Sequence, residues 1–147
     1  MRATSGTAGA CRNCGGLLLQ GNLHVEPGSV APNYGIYDVS WISLQDGPTM
    51  KEASFKLRDT DNKVIAQVTY TVKSNVNKIL YNGLDTGIPW VQHKPNSIRI
   101  RVDLNSPRNT TLWIDGTTPV MSNVPFKESV SNFSNVAADF LGIDSGN

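Results

Sequence analysis

The stretch SIRIRVDLNSPRNTTLWIDG, from Ser97 to Gly116, sets the strictest constraint on this chain. Apolar and polar residues alternate, the pattern breaks around Asn105, Pro107 and Arg108, and the alternation then resumes. That is the signature of two half-buried strands joined by a turn. Ile98, Ile100, Val102 and Leu104 fall on one face of the first strand, and Leu112 and Ile114 on one face of the second. These six are expected to be core. The same period of two recurs along most of the chain and a period of 3.6 almost nowhere, so the expected class is all-β.

Other segments extend this reading. GGLLLQGNLHV is a first candidate strand, followed by the loop EPGSVAPN. YGIYDVSWISL is a second, with Tyr37, Val39 and Trp41 on one face, closed by the turn residues of QDGPTM. ASFKLRD and KVIAQVTYTV flank Thr60, Asp61 and Asn62 as a hairpin, which turns Lys56 and Arg58 away from Phe55 and Leu57. Asn82-Gly83 is a strong signal for a type I′ turn, because both central residues need φ above zero. Ile88-Pro89-Trp90 opens a further loop. TTPVMSNVPFKESVSNFSNV reads as a long connection with one short strand at most and a single helix candidate, Lys127 to Asn132; AADFLGID is the last strand. About ten short strands at this spacing predict an antiparallel β-sandwich or barrel.

The 147 residues suit one domain, with a flexible leader over residues 1–15 and a sandwich over 16–147. Thirteen Lys and Arg against 12 Asp and Glu create no global field towards nucleic acid. No apolar run reaches the length of about 18 residues needed for a membrane helix, and MRATSGTAGACRNCGG lacks the apolar centre of a signal peptide. Neither a nucleic-acid partner nor membrane insertion is expected.

The polar side of Ser97 to Gly116 holds the candidate site. A loop from Asn105 to Asn109 would set Asp103 beside Thr111, Arg101 beside Trp113, and Arg99 beside Asp115. Arg101 could then lie flat on the Trp113 ring, and Arg99 could pair with Asp115. A tryptophan stiffened in this way suits the apolar face of a sugar ring, with arginine and aspartate bonding hydroxyls or carboxylates. Trp90 is a second candidate platform, while Trp41 is expected in the core. If Lys56 and Arg58 shared a sheet with Arg99 and Arg101, an acidic polysaccharide would be favoured. The same pattern also fits a sheet whose outward Trp and Arg stabilise it and bind nothing.

Cys11 and Cys14 form a lone C-x-x-C in a Gly- and Ala-rich segment. A local disulfide, two free thiols, or a metal site recruiting His24 and His93 are the alternatives. Asn109-Thr110-Thr111 and Asn132-Phe133-Ser134 are acceptor triplets for N-glycosylation.

YDVSWISL, FKLRDTDNKVIAQV, LYNGLDTG, SIRIRVDLNSPRNTTLWIDG and NVAADFLGID follow one another from Gly16 onward. In this order they resemble the concanavalin A-like or laminin G-like jelly-roll modules attached to secreted polysaccharide-degrading enzymes and bacterial surface proteins. The resemblance implies a jelly-roll sandwich, a secreted or cell-surface location, a glycan partner, and in many such modules a structural calcium. It also implies one more strand than the chain contains. An edge left open in this way would admit strand addition, hence a self-assembling structural or adhesive subunit as the rival reading. The superfamily includes hydrolases and lyases, but the three Glu (Glu26, Glu52, Glu128) form no close acidic cluster. Gln92 and His93 are faintly similar to a Gln-Ile-His lyase motif, for which Tyr81 and Arg99 would be partners, without the Tyr-rich final motif of those enzymes. Catalysis is therefore not expected. The DTDN turn at Asp59 to Asn62 lacks the Gly and distant Glu of a calcium loop and reads as a plain turn.

Overall fold

The computed structural model describes residues 2–3, 17–18, 32–45 and 52–141. Among the described residues, eleven strands run in the order β1 (Arg2–Ala3), β2 (Leu17–Leu18), β3 (Ile36–Ser43), β4 (Glu52–Arg58), β5 (Val64–Lys73), β6 (Val76–Tyr81), β7 (Leu84–Asp85), β8 (Asn96–Asp103), β9 (Asn109–Ile114), β10 (Met121–Pro125) and β11 (Asn135–Leu141). They build two antiparallel sheets. Sheet A has the order β1-β2-β3-β8-β9-β10, and sheet B the order β11-β4-β5-β6-β7. The architecture is an all-β antiparallel sandwich, as the alternation predicts. β11 pairs with β4 from Asn135 to Leu141 and forms one edge of sheet B.

Alternation decides which side chains enter the core. Tyr37, Val39 and Trp41 of β3, Ile98, Ile100 and Val102 of β8, and Leu112 and Ile114 of β9 face Phe55, Leu57, Ala66, Val68, Tyr70, Ile79 and Tyr81 of sheet B. Trp41, Phe55 and Tyr70 form an aromatic column, with ring centroids 5.3 Å and 6.1 Å apart. Each such side chain contributes roughly 1.5 to 3 kcal/mol by leaving water. Two hydroxyl contacts cross the core: Tyr70 with Ser43, and Tyr81, whose OH donates to Thr110 Oγ1 at 2.6 Å. Burial pushes both phenols well above the usual tyrosine range, against the opposing effect of these hydrogen bonds.

The turns follow local chemistry. Asn82 and Gly83 have φ of 49° and 87°, the type I′ pair expected. Ser74 and Asn75, at 51° and 62°, make a second such turn that the sequence reading did not mark. At the β4–β5 turn the buried Asp59 accepts the amides of Asp61 and Lys63 on Oδ1, both at 2.9 Å. A bulge between Leu57 and Arg58 shifts the register there and brings Ile65 into the core beside Ala66.

Lys127 to Asn132, the best helix candidate in the sequence, is not helical. The Lys127 and Glu128 amides instead donate to the Ile65 and Val64 carbonyls, and Val130 and Phe133 enter the core. An extended path carries both amides to carbonyls of β5, whereas the first turn of a helix would leave them without an acceptor of its own. Arg108 ties this segment down, donating to the carbonyls of Leu104 (3.1 Å), Val130 (2.5 Å) and Asn33 (3.2 Å).

Candidate functional site

Arg99, Arg101, Thr111 and Trp113 project from the outer face of sheet A, opposite in direction to Ile98, Ile100, Leu112 and Ile114. The register differs by two residues from the expected one. Arg99 lies opposite Trp113 and Arg101 opposite Thr111, because Asn109 is already a strand residue paired with Asp103. The connection is therefore Leu104 to Arg108, as long as the expected Asn105 to Asn109 but displaced by one residue towards β8.

The register reassigns the arginines. The Arg99 guanidinium carbon sits 3.9 Å from the Trp113 ring centroid, and that of Arg101 is 5.7 Å away. Arg101 instead forms a two-pronged pair with Asp38 on β3, Nε to Oδ1 and Nη2 to Oδ2, each 2.8 Å. Those hydrogen bonds hold the Asp38 carboxyl below its ordinary value; desolvation opposes the shift, and the charges of Arg101 and Arg99 reinforce it. Arg99 donates no hydrogen bond to another described residue. Its donors are available above an aromatic surface that fixes their plane.

Trp113 is only 8% exposed, with Arg99 across its ring and its Nε1 donating to the Thr117 carbonyl at 3.1 Å. An open stacking surface, as the sequence suggested, is thus not presented there. Trp90 is buried at 4% exposure, its Nε1 donating to the Thr71 carbonyl at 2.9 Å, and it belongs to the core rather than to a binding surface. Asp115 does not meet Arg99. Its φ of 53° places it just past β9, where its carboxylate accepts the Ser97 amide and Asn96 Nδ2, each at 2.6 Å.

Lys56 and Arg58 belong to sheet B, turned outward between inward Phe55 and Leu57. The four cations therefore divide between opposite outer faces of the sandwich. Sequence reasoning missed Asp38 and Ser40. Both are outward residues between Tyr37, Val39 and Trp41, and they pair with Arg101 and Arg99. Their polarity at alternate positions of a buried strand was the available signal.

The other candidates do not converge. Tyr81 is in the core, His93 is on an exposed loop at φ 61°, and Arg99 is on the outside of sheet A. Among the described residues no group of three or more His, Cys, Asp or Glu could hold a metal ion. The Asp59 carboxylate accepts the Asp61 and Lys63 amides on Oδ1 and faces the Ser131 amide at 3.4 Å on Oδ2, so the DTDN residues form the plain turn that their sequence predicts. Cys11, Cys14 and His24 lie outside the described residues. At the glycosylation triplets, Asn109 Nδ2 donates to the Pro107 carbonyl, and Asn132 exchanges hydrogen bonds with Thr60. A depression of 330 Å³ runs between Arg108 and Phe126 to Val130, but its charged walls are engaged internally: Arg108 by carbonyls, Lys127 by Gln67, and Glu128 by the Val64 amide.

No protein-family model matches the chain, and no curated protein matches it. Among solved structures, the chain is similar to a tetrameric galectin from the ball sponge Cinachyrella sp., at 13% identity and a TM-score of 0.38, covering 76% of this chain and 96% of that one. The class of this protein, a β-sandwich of two antiparallel sheets, rests on its own strand pairings.

Proposed function

We propose that the domain is a non-catalytic carbohydrate-binding module of a secreted or cell-surface protein, related in kind to the concanavalin A-like and laminin G-like modules. Its ligand is an acidic polysaccharide, whose anionic group is taken by Arg99. One observation carries this reading: a guanidinium held 3.9 Å over the Trp113 ring, on a solvent-facing sheet, with no hydrogen-bond acceptor among the described residues. Planar, paired donors on a rigid support match a carboxylate in a two-bond geometry, each charge-assisted bond being roughly twice as strong as a neutral one. Trp113 serves as the support under the arginine, and the Ser40 and Thr111 hydroxyls on the flanking strands are within the same face for sugar hydroxyls.

The test is affinity electrophoresis in gels containing a soluble uronic acid polymer. The wild-type domain is expected to be retarded, and Arg99→Ala to migrate as in a blank gel while keeping its near-ultraviolet circular dichroism. Retardation of Arg99→Ala equal to wild type would remove the site. Release of reducing ends or unsaturated sugars by the folded domain would overturn the non-catalytic assignment.

A further inference from the structure

Among the described side chains, five charged groups belong to the outer side of sheet A and its rim: Arg99 and Arg101 on β8, Asp103 at the end of that strand, Asp38 on β3, and Asp115 beyond β9. Among these described groups carboxylates outnumber guanidiniums, so together they supply no net positive charge with which to gather a polyanion. Asp103 and Asp115 are turned to backbone amides, those of Asn105 at 2.9 Å and Ser97 at 2.6 Å. Asp38 is different. It faces the arginines, and it occupies Arg101 by both prongs at 2.8 Å.

Arg99 and Arg101 are two residues apart on one strand face, a spacing of about 7 Å. Two free guanidiniums at that spacing would suit adjacent anions of a densely charged chain. With Arg101 taken, only the position over Trp113 remains, and a second anion arriving beside it meets the Asp38 carboxylate. Like charge placed against an unwanted ligand discriminates as effectively as a good contact to the wanted one.

We propose that Asp38 is the selectivity residue of this face, admitting glycans whose carboxylates are separated by neutral sugars and turning away densely sulfated ones. The inference rests on the acidic-glycan reading above and goes beyond it by naming the charge spacing of the ligand.

The experiment compares hyaluronan, with one carboxylate per disaccharide, and dextran sulfate as ligands for the intact wild-type protein, Asp38→Asn, the double variant Asp38→Asn/Arg101→Gln and Arg99→Ala. Wild type is expected to prefer hyaluronan. Asp38→Asn is expected to bind dextran sulfate on the order of tenfold more tightly, the scale of one added charge-assisted contact, with a steeper salt dependence and less than about threefold change on hyaluronan. The double variant is expected to lose that gain, which ties it to the released guanidinium. If Asp38→Asn changes both ligands equally or neither, while Arg99→Ala still abolishes hyaluronan binding, the selectivity role is overturned and the acidic-glycan reading stands. If wild type binds neither polymer and no variant gains binding, both fall.

Discussion

Arg99 lies over the Trp113 ring at 3.9 Å, and the register pairs these two residues directly across β8 and β9. The ring is covered from outside by the arginine and anchored by its own Nε1 to Thr117, so it is part of the fold's packing as well as of the site. Trp113→Ala is expected to cost about 3 kcal/mol, at the low end for loss of a buried tryptophan, while Trp113→Phe, which keeps a flat surface, costs less than about half of that. Urea midpoints give the ranking. If binding follows the support of the arginine, Trp113→Phe also retains more retardation in uronate gels than Trp113→Ala.

The Arg101–Asp38 pair makes a pH-dependent contribution with a defined sign. The carboxyl is depressed in the folded protein by the Arg101 hydrogen bonds, so the pair stabilises the fold above the ordinary aspartate value of 3.8 and is lost as pH falls through the lower folded value. Both side chains are more than two fifths exposed, and solvent screening limits the contribution to about 0.5 kcal/mol. Melting curves of wild type and Asp38→Asn are expected to differ slightly at neutral pH and to converge at the acid end. A difference that grows on acidification would contradict the pairing.

Alkali acts through the two core tyrosines. Their hydroxyls ionise in the unfolded chain near the ordinary value of 10.0, but not at that pH in the fold, where burial pushes them higher. The unfolded state therefore sheds protons first, and stability falls as pH rises past about 10. Tyr81→Phe is expected to lower stability at neutral pH by about 1 kcal/mol, leaving Thr110 its remaining bond to the Val124 carbonyl. The same variant flattens the alkaline decline. Denaturant titrations at neutral and alkaline pH measure both effects.

Asp59 organises the β4–β5 turn from a fully buried position. Asp59→Ala strips the Asp61 and Lys63 amides of their acceptor and is expected to cost about 2 kcal/mol. Asp59→Asn retains an oxygen for both and should cost less. Equal losses in the two variants would mean that charge rather than hydrogen bonding is what the turn requires.

The core was legible in the sequence because strand alternation is a local property: Ile98, Ile100, Val102, Leu112 and Ile114 all face inward as their positions predict. Partners across strands were not, because they depend on where a turn closes. Placing Asn109 in the loop rather than in β9 moved every pair of that hairpin by two residues and exchanged the roles of Arg99 and Arg101. Trp90 reads as a loop residue, and its burial is set by a carbonyl on β5 that no neighbouring residue announces. Lys56 and Arg58 have the expected outward direction, but the sheet they belong to is decided by topology, which separates them from the other two arginines. Arg108 was invisible for the same reason, since beyond the nearby Leu104 its carbonyl partners Val130 and Asn33 come from distant segments.

The double grip between Ser97 and Asp115, amide to carboxylate in one direction and amide to carbonyl at 2.9 Å in the other, closes the open end of the β8–β9 hairpin. A slip of one residue would turn every inward side chain of β9 to solvent, and a slip of two would keep the core facing inward while setting Arg101, not Arg99, opposite the tryptophan. The core alone cannot tell that second arrangement from the native one by direction. Asp115 can. A carboxylate that touches neither arginine in the fold thus acts as a latch on alignment, and so determines from a distance which of two identical side chains stands over the ring.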